Sequence, residues 1–125
     1  MSADNERVVS DFCRVWSALN IDKVMEFFAD DAVYHNMMLD PARGKAAIRK
    51  TIDGFMPGTT KVEFKILTTA SAGNLIFNER VDSFVVNGRP IAVPVAGVFE
   101  LAEGKIKAWR DYFDLATYMK QRDGK

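Results

Sequence analysis

The feature that most constrains the fold is a series of alternating apolar and polar residues that begins after Gly58 and is broken by short turns. Asn87-Gly88 separates two of these stretches, and it favours a two-residue hairpin because both central residues of a type I′ turn need positive φ. Ala72-Gly73-Asn74 and Glu103-Gly104-Lys105 form the other breaks. The pattern predicts consecutive antiparallel strands over 62–66, 75–86, 91–101 and 106–114.

Residues before Gly58 show helical periodicity instead. The predicted helices cover 8–19, 21–28 and 46–55, a short extended piece covers 32–36, and a last helix covers 115–121. Asn20 and Asp114 stand where the second and the last helix begin, and both residue types are preferred N-caps. Helices followed by an antiparallel meander indicate an α+β fold. A strongly curved sheet wrapped against the helices would leave a pocket inside its concave face.

The length and the charge of the chain limit the kinds of protein that it can be. With 125 residues it is expected to form one domain over 1–125, and its 48% hydrophobic content is ordinary for a globular protein. Lys and Arg total 17, as do Asp and Glu, and the resulting net charge of zero argues against nucleic-acid binding. The longest uncharged apolar stretch, 91–99, is far shorter than the roughly 20 residues that a membrane span needs.

Cysteine and histidine are scarce. The single cysteine, Cys13, cannot form an internal disulfide, and the N-terminus has no pattern of a secretion signal, so the sequence predicts a cytoplasmic protein. A catalytic zinc needs about three His, Cys or carboxylate ligands. With one Cys and one His, the chain is expected to use no metal and no other cofactor.

Charged residues interrupt apolar strand faces at two places. Arg80 and Asp82 share a face with apolar neighbours, and Asp111 shares a face with Trp109 and Phe113. Two explanations stay open for each place. Arg80 and Asp82 form an ordinary ion pair on a solvated face, or they reach one shared pocket. Asp111 is an edge-strand charge that discourages aggregation, or it belongs to that pocket as well.

The extended piece before the third helix carries Tyr34-His35-Asn36, which places Tyr34 and Asn36 on one face and His35 on the other. Tyr34 could serve only as an aromatic wall, and Asn36 only as a turn residue. A lone histidine is more often a structural hydrogen-bonding group than a catalyst, so His35 is left outside the candidate site.

Three segments together resemble the limonene-1,2-epoxide hydrolase family. They are Tyr34-His35-Asn36, Glu79-Arg80-Val81-Asp82 and Trp109-Arg110-Asp111-Tyr112-Phe113-Asp114, which match the family's Tyr-x-Asn, Arg-x-Asp and Trp-Arg-Asp-Tyr-Phe-Asp motifs in order and approximate spacing. The resemblance implies a strongly curved, mixed, mainly antiparallel sheet with N-terminal helices packed into a cone, as in ketosteroid isomerases, polyketide cyclases and scytalone dehydratase. It also implies a homodimer.

The resemblance further implies a role for each candidate residue. Asp111 would be the general base on water, Asp82 the general acid on the epoxide oxygen, and Arg80 the bridge between them. Tyr34 and Asn36 would position the water. Two carboxyl groups in opposite protonation states can remove one proton and deliver another in a single step. The sequence leaves open which carboxyl holds the proton, because such a pair titrates as a unit.

The expected reaction converts a small apolar epoxide to a vicinal diol, with water as the nucleophile and without a cofactor. Two alternatives remain at this stage. One is an isomerase, cyclase or dehydratase on the same fold, and the other is a non-catalytic module that binds a small molecule.

Overall fold

The structure, a computed structural model, describes residues 2–124. Its helices are α1 at Ser2–Val15, α2 at Ile21–Met25, α3 at Lys45–Phe55 and α4 at Leu115–Asp123, with a short 3₁₀ turn at Trp16–Ala18. Its strands are β1 at Phe28–Asn36, β2 at Ala42–Arg43, β3 at Thr59–Ala72, β4 at Leu75–Val86, β5 at Arg89–Ala102 and β6 at Lys105–Tyr112. None of these helices is long and apolar enough to cross a membrane.

The strands form one mixed sheet in the order β2-β1-β6-β5-β4-β3. Every neighbouring pair is antiparallel except β1 and β6, which run parallel. Register shifts interrupt the pairs β1–β6, β3–β4 and β5–β6, and such bulges bend a sheet and increase its twist. The predicted α+β class and its mainly antiparallel sheet are confirmed.

Turn and cap chemistry agrees with the sequence analysis. Asn87 and Gly88 have φ values of 52° and 80°, as a type I′ hairpin requires. The Asn20 side chain accepts from the N–H of Lys23, and Asp114 accepts from the N–H of Ala116, so both predicted N-caps are confirmed.

The predicted second helix is too long. It ends at Met25, and β1 begins at Phe28, four residues before the predicted extended piece. Phe28 is 1% exposed and pairs with Ile106 of β6, so burial in the sheet overrides the local helical spacing. The two-residue strand β2 is absent from the strands predicted from the sequence, because it exists only through its pairing with Val33 and Tyr34 of β1.

The main core lies between α1, α3 and the inner face of the sheet, and it is rich in aromatic rings. Phe12 of α1 packs edge-on against Trp109 with ring centroids 4.9 Å apart, and against Phe28 at 5.4 Å. Each ring of this size removes a large apolar area from water, and edge-on geometry adds to that burial. The helices therefore cover the inner face at one end of the sheet.

Helix α4 covers the first half of β5, where β6 has already ended. There the side chain of Gln121 replaces a strand: its Oε1 accepts from the N–H of Ala92 at 2.7 Å, and its Nε2 donates to the Ala92 carbonyl at 3.0 Å. Pro90 and Pro94 lie two residues to either side of Ala92, so their missing N–H groups fall on this same unpaired edge. The C-terminal helix is thus fixed to the sheet.

Candidate active site

Four polar side chains are buried together on the inner face of the sheet: Asn78, Arg80, Asp82 and Asp111. Strand alternation brings the first three to the same face of β4. Gly97 of β5 pairs with Asn78 on one side and with Asp111 of β6 on the other, so the cluster crosses three adjacent strands.

Arg80 connects the members of this cluster. Its Nε and Nη2 donate to the two carboxylate oxygens of Asp82 at 2.9 and 2.8 Å. Nη2 also donates to Oδ2 of Asp111 at 2.9 Å, and Nη1 donates to Oδ1 of Asn78 at 3.0 Å. The Arg80 side chain is 0% exposed, so the explanation as an ion pair on a solvated face is wrong.

Asp111 lies on an interior strand and is 4% exposed, so the explanation as an edge-strand charge is wrong as well. Its Oδ1 accepts from the indole Nε1 of Trp109 at 2.7 Å, while Arg80 binds the other oxygen. Each oxygen of this carboxylate therefore has a donor, which fixes the orientation of the group.

Tyr34 and Asn36 reach the same place from β1. The parallel pairing of β1 with β6 sets Tyr34 opposite Trp109 and Asn36 opposite Asp111. The Tyr34 ring stacks on Trp109 with centroids 4.3 Å apart, and Asn36 Nδ2 donates to the Tyr34 hydroxyl at 3.1 Å. His35 faces the other way, where its Nε2 lies 2.8 Å from the Leu39 carbonyl oxygen, which agrees with leaving it outside the site.

A cavity of about 350 Å³ opens in front of these groups. Tyr34, Asn36, Asp82 and Asp111 all line it, whereas Arg80 lies behind the carboxylates and does not reach its wall. The rest of the lining is mostly apolar and includes Phe55, Phe64, Phe84, Val93, Phe113 and Met119. The sequence could not assign these wall residues because they come from three strands, two helices and the connection between β6 and α4.

Burial changes the pKa values of three groups in the site. It raises the pKa of Asp82 to about 6, against the opposing effect of Arg80 and with a further increase from the charge of Asp111. Burial also raises the pKa of Tyr34, so its hydroxyl stays neutral. Although burial alone would lower the pKa of Arg80, the two carboxylates raise it overall, and the guanidinium stays charged.

Sequence reasoning missed two members of the cluster, Asn78 and Gly97. A Cβ on Gly97 would collide with Arg80 Nη1 and would stand 2.9 Å from Asn78 Oδ1 and 3.0 Å from Asp111 Oδ1. Gly97 therefore makes room for the guanidinium. A glycine inside a strand often marks such a close approach, and that signal was available in the sequence.

Among residues 2–124, no group of three or more His, Cys, Asp or Glu side chains is arranged to hold a metal ion.

Comparison with known proteins places this geometry in a family. The model of the limonene-1,2-epoxide hydrolase catalytic domain matches residues 3–123. The chain belongs to the limonene-1,2-epoxide hydrolase family. As a member it is an epoxide hydrolase, which is the enzyme class that the three motifs predicted.

Two relatives of this family member come from Mycobacterium tuberculosis. The epoxide hydrolase EphG is 33% identical over 101 residues, which are 81% of this chain and 67% of EphG. The solved structure of a limonene-epoxide-hydrolase-like epoxide hydrolase superposes with a TM-score of 0.84 at 28% identity, covering 98% of this chain and 92% of that one.

More distant structures show the shared fold alone. A ketosteroid-isomerase-like protein from Catenulispora acidiphila is 22% identical with a TM-score of 0.82, and covers 93% of this chain and 92% of its own. A SnoaL-like polyketide cyclase from Shewanella putrefaciens is 14% identical with a TM-score of 0.83, and covers 97% of both chains. The predicted cone fold is confirmed.

Proposed function

We propose that this epoxide hydrolase converts a small apolar epoxide to a vicinal diol by one-step, acid- and base-assisted attack of water. One observation carries the proposal: two buried carboxyl groups share one guanidinium nitrogen and both line an apolar cavity. An epoxide opens slowly at neutral pH because water is a weak nucleophile and the alkoxide is a poor leaving group. A carboxyl pair of this kind addresses both problems at once.

Asp111 acts as the general base in this mechanism. Its two hydrogen bonds, from Trp109 and from Arg80, hold in place the carboxylate that must accept a proton from water. Asn36 lies opposite Asp111 in the parallel pair, and its amide is bonded to the Tyr34 hydroxyl. These three polar groups can hold one water and aim it at an epoxide carbon.

Asp82 acts as the general acid. Its raised pKa, about 6, keeps a far larger protonated fraction near neutral pH than an ordinary Asp has. As the water oxygen bonds to carbon, the ring C–O bond breaks, and its electron pair takes the proton of Asp82. Asp111 gains a proton while Asp82 loses one, so the buried cluster keeps the same net charge through the step. Each proton transfer contributes typically about 10² to 10⁴ in rate.

Water, rather than a carboxylate, is the nucleophile. The alternative route forms an enzyme ester and then needs a base, usually His, to hydrolyse it. The one histidine of the sequence, His35, is bonded to the Leu39 carbonyl and does not line the cavity. The chain's own Tyr34, Asn36 and Asp111 suit a direct attack.

A single turnover in water labelled with heavy oxygen tests this mechanism, with enzyme in excess over styrene oxide or cyclohexene oxide. Direct attack places the label in the first diol and leaves Asp82 and Asp111 unlabelled. An unlabelled first diol together with label in a protein carboxylate would show an ester intermediate. Failure to form diol from a panel of terpene, cyclic and aryl epoxides, by folded enzyme, would contradict the proposed substrate class.

We also propose a homodimer, one domain over 1–125, cofactor independence and a cytoplasmic location. For the homodimer, the support beyond the family resemblance is a pair of aromatic side chains on the outer face of the sheet, Phe77 and Tyr112, which are 38% and 46% exposed. A second copy of the chain would cover these rings.

A further inference from the structure

Arg122 is the only basic side chain among the described residues that line the cavity. It lies in the last turn of α4, and its Cζ stands 5.7 Å from the centroid of the Tyr118 ring. The mechanism above gives it no task.

Arg122 is separated from the reacting carboxyl groups by apolar rings. The Tyr118 ring lies 6.3 Å from the ring of Phe84. Phe84 shares a strand face with Asp82 two residues away, which is about 7 Å along a strand. The cavity therefore has a polar reacting end at Asp82, an aromatic middle, and a single cation at the other end.

The guanidinium of Arg122 is held in place and can bind another group. Gln121, the preceding residue, is bonded to Ala92, which fixes this turn of α4 to the sheet. Arg122 Nε donates to Asp123 Oδ1 at 3.2 Å, and the two side chains are 37% and 42% exposed. An ion pair this exposed is weak. Because Arg carries five N–H donors in a planar fork, donors remain for a second carboxylate.

We propose that the substrate is an amphiphile, with an epoxide at one end of an apolar chain and a carboxylate at the other end that Arg122 binds. This inference rests on the proposed function of the same cavity and specifies its substrate class. The apolar walls then accept the chain, and Arg122 sets which end enters first. A neutral epoxide would lack the contact with Arg122.

Binding tests the head-group site without any turnover. Decanoate and decanamide have the same chain length and differ in charge, so their dissociation constants are compared by calorimetry. We expect decanoate to bind the wild-type protein about tenfold more tightly. Arg122→Gln should abolish that preference, and Arg14→Gln, which removes an exposed cation of α1, should keep it. Equal binding of the two ligands to the wild type would overturn the proposal.

Measurements of turnover show whether a negative result contradicts the carboxylate site at Arg122 or the proposed epoxide hydrolysis itself. The terminal epoxide of undecenoic acid and that of its methyl ester are compared as substrates of the wild type and Arg122→Gln. We expect the acid to have the higher kcat/KM, and the variant to lose that advantage mainly through KM. Hydrolysis of both at a ratio that Arg122→Gln leaves unchanged would overturn the head-group site. Tight decanoate binding without hydrolysis of these or of cyclohexene oxide would instead overturn the proposed reaction.

Discussion

Asp82 and Asp111 are joined through one atom, Nη2 of Arg80, which donates to Asp82 Oδ2 at 2.8 Å and to Asp111 Oδ2 at 2.9 Å. The two carboxyl groups come from positions 29 residues apart in the sequence, on strands separated by β5. Burial and the negative charge of Asp111 raise the pKa of Asp82, and the shared Arg80 opposes that rise.

Replacing either acid should nearly abolish diol formation. Asn keeps the shape of Asp but cannot accept the proton of water or act as a comparable acid, so Asp82→Asn and Asp111→Asn should each lower kcat by about 10² to 10⁴. Arg80→Ala should be similarly severe, because it removes the charge between the acids. Circular dichroism serves as the control, since a loss of activity together with unfolding would not support a catalytic role.

Changes at Tyr34 and Asn36 should be milder than those at the acids. In the proposed mechanism these residues orient water and exchange no proton, so Tyr34→Phe and Asn36→Ala should lower kcat by about 10- to 100-fold. Steady-state kinetics on one epoxide checks this. Wild-type rates for both variants would mean that the water is held elsewhere.

The pH dependence should follow Asp82. Because its pKa is raised to about 6 and the acid must be protonated, kcat/KM should fall as pH rises through about 6. The folded state holds this proton more tightly than the unfolded chain does. The resulting stabilisation is complete below the ordinary Asp pKa, near 3.9, and is lost as pH rises through 6.

Urea unfolding at several pH values measures how the free energy of unfolding depends on the titration of Asp82. The wild type should lose stability between about pH 4 and 6 more steeply than Asp82→Asn, which cannot titrate at this position. Parallel curves for the two proteins would contradict the raised pKa.

Gly97→Ala should damage both stability and activity. The new Cβ would overlap Arg80 Nη1, and the buried, hydrogen-bonded guanidinium has no space to retreat. Overpacking of this kind costs typically about 1–3 kcal/mol, and movement of Arg80 should lower kcat. Gly54→Ala is the matched control, because a Cβ there meets nothing within 4 Å and α3 should gain up to about 1 kcal/mol. Thermal unfolding of the two variants tests this difference in stability. Equal melting temperatures would contradict the steric argument.

The homodimer should depend on the outer face of the sheet. Sedimentation at micromolar concentration should give twice the chain mass, and Phe77→Glu should shift the protein toward the monomer by placing a charge in the apolar contact. Lys50→Glu, an exposed change on α3 at the opposite side of the sheet, is the control and should leave the dimer intact. A monomeric wild type would contradict the prediction.

Local chemistry in the sequence determined much of this protein. The Asn87-Gly88 turn, the caps at Asn20 and Asp114 and the alternation of β4 are short-range preferences, and each has the predicted structure. The three motifs also identified the family and its enzyme class.

Tertiary structure alone decided the features that depend on distant residues. Phe28 leaves the helical pattern because its ring is buried beside β6, and β2 exists only through its pairing with β1. Tertiary structure also decided whether Arg80 belongs to a solvated ion pair or to a buried cluster. Alternation predicts the face of the strand on which a side chain lies, but whether that face is covered depends on elements distant in the sequence, such as α1. Burial by those elements raises the pKa of Asp82, and burial is a property of the packed chain rather than of any local pattern.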